Sequence, residues 1–237
     1  MPIAMITGGS KGLGRALGVD LARRGWDLVL DARSAEVLRG TAEELAGRYG
    51  TRVVAVAGDV TDPAHLEALV AAAAGLGGLD VLVSNASALG AEPLVRLEAL
   101  PLKGLRQALE TNVVAVLGLV QEALPLLRDS AAGAVVTVSS DAATEPYGTW
   151  GGYGASKAAL DQLAAVLGVE EPGLRVWAVD PGDMGTDLYT AAVPDDSGPR
   201  PRPESVAPAF VRLLELRPAS GRYTASALLD ADGRAGR

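Results

Sequence analysis

The sequence predicts an α/β fold, a doubly wound parallel sheet of about seven strands with helices on both faces. Three observations lead there. Short runs of Val, Leu and Ile recur without polar alternation, as strands covered on both faces require. The stretches between these runs are long enough for the crossover helices that parallel strands need. The first run, starting at Ile3, breaks at once into Met5-Ile6-Thr7-Gly8-Gly9-Ser10-Lys11-Gly12-Leu13-Gly14, which reads as strand, tight turn and helix.

Leu13, Leu17 and Leu21 recur at helical spacing, so the turn opens into an amphipathic helix that ends near Gly25. Further strands are expected at Leu28–Leu30, Val53–Val56, Val81–Val83, Val135–Val138 and Val176–Val179, with a final one over Tyr223 to Leu229. Helices are expected over Ser34 to Tyr49, Pro63 to Ala74, Pro101 to Leu127, Tyr153 to Leu167 and Glu204 to Leu216. The chain shows no internal repeat and suits a single domain over residues 1–237. One compositional break, Pro194 to Pro203, is rich in Pro, Asp and Arg. It reads as a mobile loop or, because it follows a strand C-terminus where ligands bind in open α/β sheets, as part of a substrate lid over Asp183 to Pro203.

Composition narrows the function. The hydrophobic share of 49% and charged share of 21% are ordinary for a globular chain, and the net charge of −8 is spread without a basic stripe, which argues against nucleic acid as partner. The absence of cysteine excludes disulfides and thiolate chemistry. No apolar run approaches the ~20 residues that span a bilayer, and the first strand begins at once, leaving no room for a signal peptide; a soluble, cytoplasmic protein is expected. The single histidine, His65, falls at the start of a helix and reads as a solvated surface residue. With one histidine, Ser-His-Asp triads and histidine-rich metal sites drop out, and no metal is expected.

Two stretches carry chemistry. In the first, helix N–H groups and residues without a Cβ let a diphosphate approach the backbone closely, which is the mechanism of dinucleotide binding. In the second, Tyr153 and Lys157 are four apart on one helix face, so the ammonium can favour the phenolate and draw the tyrosine toward working pH. Tyr153 is then a candidate acid/base. Val136-Thr137-Val138-Ser139-Ser140 ends a strand thirteen positions earlier and delivers a serine hydroxyl to the same sheet edge.

Together these residues resemble the short-chain dehydrogenase/reductase family in its short single-domain branch, from Ile3 to about Thr186. The phosphate turn supplies Gly8, Ser10, Lys11, Gly12, Leu13 and Gly14, and Asp59-Val60 matches the family's adenine-contacting pair. Ser84-Asn85-Ala86-Ser87 stands where the family usually reads Asn-Asn-Ala-Gly. Thr111-Asn112-Val113, Ser140, Tyr153 with Lys157, and Pro181-Gly182-Asp183-Met184-Gly185-Thr186 follow in the family's order. The resemblance implies a Rossmann-type fold and a catalytic tetrad of Asn112, Ser140, Tyr153 and Lys157. The tyrosine would exchange a proton with the substrate oxygen, and the serine would polarise that oxygen. The lysine would lower the tyrosine pKa and contact the nicotinamide ribose, and the asparagine would hold a water that links the lysine to solvent. Cofactor contacts are implied for Asn85, Ala86, Pro181, Gly182, Met184 and Thr186 as well. Departures are Ser84 and Ser87, Trp177 where asparagine is frequent, and a tail in which Leu229-Asp230-Ala231-Asp232-Gly233 only echoes the usual Val-Asp-Gly-Gly.

Cofactor choice rests on the residue that meets the adenosine 2′ position. Ala32 occupies the acidic position and Arg33 the basic one after it, and Lys11 adds a second cation, so NADP(H) is expected over NAD(H). Asp31 is the contrary observation, read as an acid facing away because strand side chains alternate. The expected function is an NADP(H)-dependent oxidoreductase that interconverts a ketone or aldehyde and an alcohol. The rivals are an NAD(H)-dependent alcohol dehydrogenase and a non-catalytic nucleotide-binding regulator, with an epimerase or dehydratase disfavoured by the glycine spacing. Trp150, Tyr147, Met184 and Tyr189 would suit an apolar or ring-containing substrate. The resemblance also implies a homodimer or homotetramer.

Overall fold

The computed structural model describes residues 1–230. Seven parallel strands form one sheet in the order β3-β2-β1-β4-β5-β6-β7. They are β1 (Ile3–Ile6), β2 (Asp27–Ala32), β3 (Val53–Ala57), β4 (Val81–Ser84), β5 (Ala134–Val138), β6 (Arg175–Asp180) and β7 (Gly221–Thr224). The chain winds outward from β1 through β2 to β3, then returns to pair β4 on the other side of β1. The connections leaving β1 and β4 therefore diverge, and a crevice opens above the carboxyl ends of these two strands.

Strand alternation divides the core into two layers. Ala4, Ile6, Leu28, Leu30, Val136, Val138, Trp177 and Val179 face one way, toward α1 (Gly12–Arg23), α2 (Ala35–Tyr49) and, nearer the chain end, α8 (Pro203–Leu216) and α9 (Ala225–Asp230). Ile3, Met5, Val29, Leu82, Val135 and Val176 face the other way, toward α3 (Pro63–Leu76), α5 (Ala115–Asp129) and α6 (Gly151–Glu170). Both layers are apolar because neither face of a doubly wound sheet meets water.

Four expectations need correction. The stretch from Pro101 to Leu127 is not one regular helix: α4 (Leu102–Leu109) passes through a π turn over Glu110–Val114 into α5. The wider turn brings Asn112 into the interior, where it is fully buried. The run Leu102–Asp129 is also, by length and a mean hydropathy of 1.3, long and apolar enough to cross a membrane, contrary to the reading above. Here its Val116, Leu119, Val120, Ala123 and Leu127 face packs on the sheet. The lid region contains a short helix, α7 (Asp187–Ala192), capped by the Thr186 hydroxyl, which accepts from Tyr189 N–H at 3.2 Å.

The last strand stops at Thr224, whose hydroxyl accepts from Ala227 N–H at 3.2 Å and starts α9; Ala225 and Leu228, three apart, bury one helical face. The echo at Ala231-Asp232-Gly233 lies outside the described residues. Finally, His65 is 7% exposed rather than solvated, paired with the equally buried Asp31 at 2.6 Å. The helical periodicity of α3 puts His65 beside Leu66 and Leu69 on the inner face.

Trp177 fills the centre of the first layer, with no exposed surface and its indole N–H donating to Pro218 O at 3.2 Å. Replacing it with Ala should cost about 3–5 kcal/mol, read as a lower denaturant midpoint in equilibrium unfolding.

Candidate active site

The crevice begins at the glycine turn. Gly8 and Gly12 take positive φ of 66° and 56°, and a Cβ on Gly14 would sit 2.3 Å from Gly8 O, so the turn closes onto the first turn of α1 only without side chains. Neighbouring strand ends hold it. Thr7 Oγ1 accepts from the N–H groups of Asn85 and Ala86, each at 3.0 Å, while Asn85 Nδ2 donates to Thr7 O at 2.8 Å and Gly8 O at 3.3 Å. From β2, Asp31 O accepts from Gly9 N–H at 2.7 Å. The N-terminus of α1 has no acid in its first turn and no side-chain cap, so its N–H groups and dipole are available to an anion.

A cleft of about 910 Å³ runs from this turn across the sheet edge to α6. Gly8, Lys11, Gly12, Leu13, Arg33, Asn85 and Ala86 form one wall; Ser140, Tyr153 and Lys157 form another; Pro181, Gly182, Met184 and Thr186 close the end. These expected residues thus share one cavity. Ser10, Gly14, Asp59, Val60 and Asn112 lie behind its lining. Ser10 is buried, with its carbonyl accepting from Thr41 Oγ1 at 3.4 Å. Asp59 accepts from Thr61 N–H and hydroxyl at 2.9 and 2.8 Å, bonds that hold its carboxyl below the ordinary value. Val60 faces a small cavity with Thr7, Ser84 and Ala86, and there the buried Ser84 hydroxyl has no hydrogen-bond partner among the described residues.

Two adjacent serines separate by strand alternation. Ser139 turns inward and donates to Asp161 Oδ2 at 2.8 Å; Ser140 sits at the cleft, accepting from Ala142 N–H at 3.2 Å and donating to Asp141 Oδ1 at 3.1 Å. Tyr153, 6% exposed, meets the Trp150 ring edge-on at 5.7 Å. Lys157, 2% exposed, lies with Nζ 5.5 Å from the centroid of the Tyr153 ring and donates to Val138 O at 2.8 Å. Burial dominates both groups. It pushes the phenol up to about 12, Asp180 and Asp141 push the same way, and only a hydrogen bond with the Ser87 hydroxyl opposes. Burial also holds the ammonium down to about 8, against the pull of Asp161. The expected drawing of the phenol toward neutral pH by the lysine is therefore absent from this arrangement.

The Asn112 side chain is saturated with protein partners. Oδ1 accepts from Ala88 N–H at 2.8 Å and Ser87 hydroxyl at 3.2 Å, and Nδ2 donates to Ala88 O at 2.9 Å and Ser156 Oγ at 2.8 Å. Its carboxamide leaves no valence for a bridging water, so the side chain fixes the loop after β4 to the π turn and α6. Two residues were not singled out by sequence reasoning. Ser87, noted only as a departure, reaches both Asn112 and Tyr153. Arg222 on β7 ties three elements together, donating to Ser140 O at 2.9 Å, Asp161 at 3.0 Å and Asp180 at 3.3 Å. No spacing motif marks it, because the partners are 42 to 82 positions away.

A nicotinamide dinucleotide fits this cleft by its donor set: bare N–H groups at a helix start, glycines that allow backbone contact, and cations at Lys11 and Arg33. The family model for short chain dehydrogenase matches residues 2–197. The chain belongs to that family. It is an oxidoreductase dependent on NAD(P). It is 36% identical over 189 residues to an uncharacterised oxidoreductase of Saccharomyces cerevisiae, covering 78% of this chain and 72% of that one. It is 35% identical over 201 residues to the sepiapterin reductase of Mus musculus, covering 80% and 77%. An alcohol dehydrogenase from the archaeon Thermococcus sibiricus, solved with 5-hydroxy-NADP, superposes with a TM-score of 0.86 at 28% identity over 94% of this chain and 95% of that one.

Gly14→Ala should abolish nucleotide binding, because a Cβ 2.3 Å from Gly8 O forces the turn open. Fluorescence titration with NADPH should show no saturation, while circular dichroism shows retained helix and sheet.

Proposed function

We propose that this oxidoreductase interconverts a ketone or aldehyde and an alcohol with NADP(H), using Tyr153 as acid/base. The observation that carries the reading is the shared cavity: Ser140, Tyr153 and Lys157 on one wall, the glycine turn with Arg33 and Lys11 on the other. When bound there, the nicotinamide gives hydride to the substrate carbon or takes it away. The protein supplies position and the proton. Ser140 Oγ is held at the cleft by Ala142 N–H, and its single hydrogen, which here goes to Asp141 Oδ1, would turn to the substrate oxygen on which charge develops. Tyr153, kept neutral by burial, holds a proton at its phenolic oxygen for transfer to a nascent alkoxide. Lys157 places a cation beneath the same ring, and Asn112 acts as a positioning residue for the loop over it.

The preference for NADP(H) is supported by the end of β2. Asp31 turns into the interior, Ala32 contributes to the opposite core layer, and Arg33 emerges exposed at the cleft. The Arg33 charge interacts with Asp59, yet its guanidinium still lines the cleft, where it can receive a 2′-phosphate. Lys11 is paired with Asp187 of α7 at 2.7 Å, which ties the turn to the lid region. Trp150, Met184 and Tyr189 line the outer cleft and favour an apolar or ring-containing carbonyl; Tyr147 instead donates to Asp141 Oδ2 at 3.0 Å at the rim. Val114 and Leu117 near the start of α5, with Val166 and Val169 on α6, are exposed apolar residues suited to a second copy of the chain in a homodimer or homotetramer.

Two outcomes follow. With an aldehyde and ketone panel and NADPH oxidation followed at 340 nm, Tyr153→Phe should lower turnover by about 10²–10⁴-fold while NADPH affinity stays within a few-fold; turnover equal to wild type would refute the tyrosine role. Because the phenol is raised, its protonated form prevails through neutral pH. Reduction should stay flat below the range in which Lys157, held down to about 8, loses its charge and fall above it, whereas oxidation of the product alcohol should rise as the phenolate fraction grows.

A further inference from the structure

Asp31 and His65 form a buried acid–base pair that the chemistry above does not use and that lies outside the cleft lining. Its position is directly under the phosphate turn. Asp31 Oδ2 accepts from Gly8 N–H at 3.3 Å, its main-chain carbonyl accepts from Gly9 N–H at 2.7 Å, and Oδ1 stands 2.6 Å from His65 Nε2. The His65 ring packs closely on Gly58, where a Cβ would come within 2.2 Å of Nδ1, so the connection after β3 confines the ring beside Asp31.

A carboxylate in this place works against the turn's task. It takes up one of the turn's N–H groups, and its charge faces the position of an incoming diphosphate in surroundings too dry to screen it. The neighbours do not relieve it. Asp59, at the end of β3, adds a second negative charge facing the pair, offset by Arg33. On α3, Asp62 accepts from Ala64 N–H at the N-cap and Glu67 is exposed; from α5, the residue against this part of α3 is Gly118, next to Leu66. His65 is the basic group in contact with Asp31. Burial pushes the Asp31 carboxyl above its ordinary value despite the hydrogen bonds from His65 and Gly8, which fits a pair that retains a proton.

We propose that His65 is a positioning residue for the coenzyme: by keeping one proton on the Asp31–His65 pair, it neutralises the carboxylate beneath the phosphate turn and lets the turn receive an anionic diphosphate. Nucleotide binding then favours the protonated pair and weakens as the pair gives up its proton at higher pH. The proposal rests on the nicotinamide-dinucleotide reading of the cleft.

The test is the dissociation constant of NADPH by fluorescence titration from pH 6 to 9, with wild type, Asp31→Asn, His65→Gln and the double variant. The 2′-phosphate titrates identically in all four, so differences between proteins isolate the pair. Wild-type affinity should fall about tenfold more over this range than that of Asp31→Asn, whose carboxamide can still accept from Gly8 N–H without a charge. His65→Gln should bind weakly throughout, and the double variant should recover because the unneutralised charge is gone. Melting curves by circular dichroism verify that the variants are folded. Parallel pH dependences for wild type and Asp31→Asn, or a double variant as weak as His65→Gln, would overturn the proposal and leave the oxidoreductase reading intact. Failure of wild type to bind NADPH or NADH would overturn both.

Discussion

The glycine turn cannot hold its shape alone, and most of what distinguishes this molecule follows from how it is held. Residues without a Cβ allow the close approach of Gly8 and Gly14, but they also leave the turn with little to pack. Hydrogen bonds supply the rigidity: Thr7 and Asn85 from the β1 and β4 ends, Asp31 from β2 through both its backbone and its carboxylate. The sheet order makes this geometry available, because β1 sits between β2 and β4 and the three carboxyl ends converge at the point where the chain changes direction. A cleft walled by backbone donors on one side is the consequence.

The opposite wall depends on burial. Lys157 and Tyr153 lie on adjacent turns of α6, both almost wholly removed from water, and desolvation moves each toward its neutral form. The ammonium is stabilised by the Val138 carbonyl, and behind it the Asp161, Asp180 and Arg222 network joins α6 to β6 and β7. Asn112 performs the same service from the far side through four hydrogen bonds. The proton-bearing groups are thus held by protein partners on several elements, and their orientation is set before any substrate enters.

Much of this was legible in the residues. Continuous apolar runs marked the first six strands, since a sheet buried on both faces needs no alternation, and glycine spacing with the Tyr153–Lys157 pair located both walls of the cleft; the seventh, Gly221–Thr224, has no such run. The misses share a cause. His65 looked solvated because a short acidic, Pro-led helix start carries no sign of what its next turn packs on; the partner, Asp31, is 34 positions away. The π turn around Asn112 has no hydrophobic period of its own and hides inside a good helical pattern. Tyr223 to Leu229 is apolar in a way that suits strand or helix, and the Thr224 cap decided it. The lysine's expected influence on Tyr153 failed for an electrostatic reason: spacing on a helix predicts proximity, whereas the balance between charge and desolvation depends on how deeply the pair is buried.

Alternation at the end of β2 is the point on which cofactor, turn and cleft all meet, since it turns Asp31 inward and leaves Arg33 at the mouth. Parallel titration of the wild-type protein with NADPH and NADH at fixed pH, followed by nucleotide fluorescence, tests it most directly. The account predicts clearly tighter binding of NADPH. Equal or tighter binding of NADH would mean that an acid reaches the adenosine ribose after all, and would contradict the account.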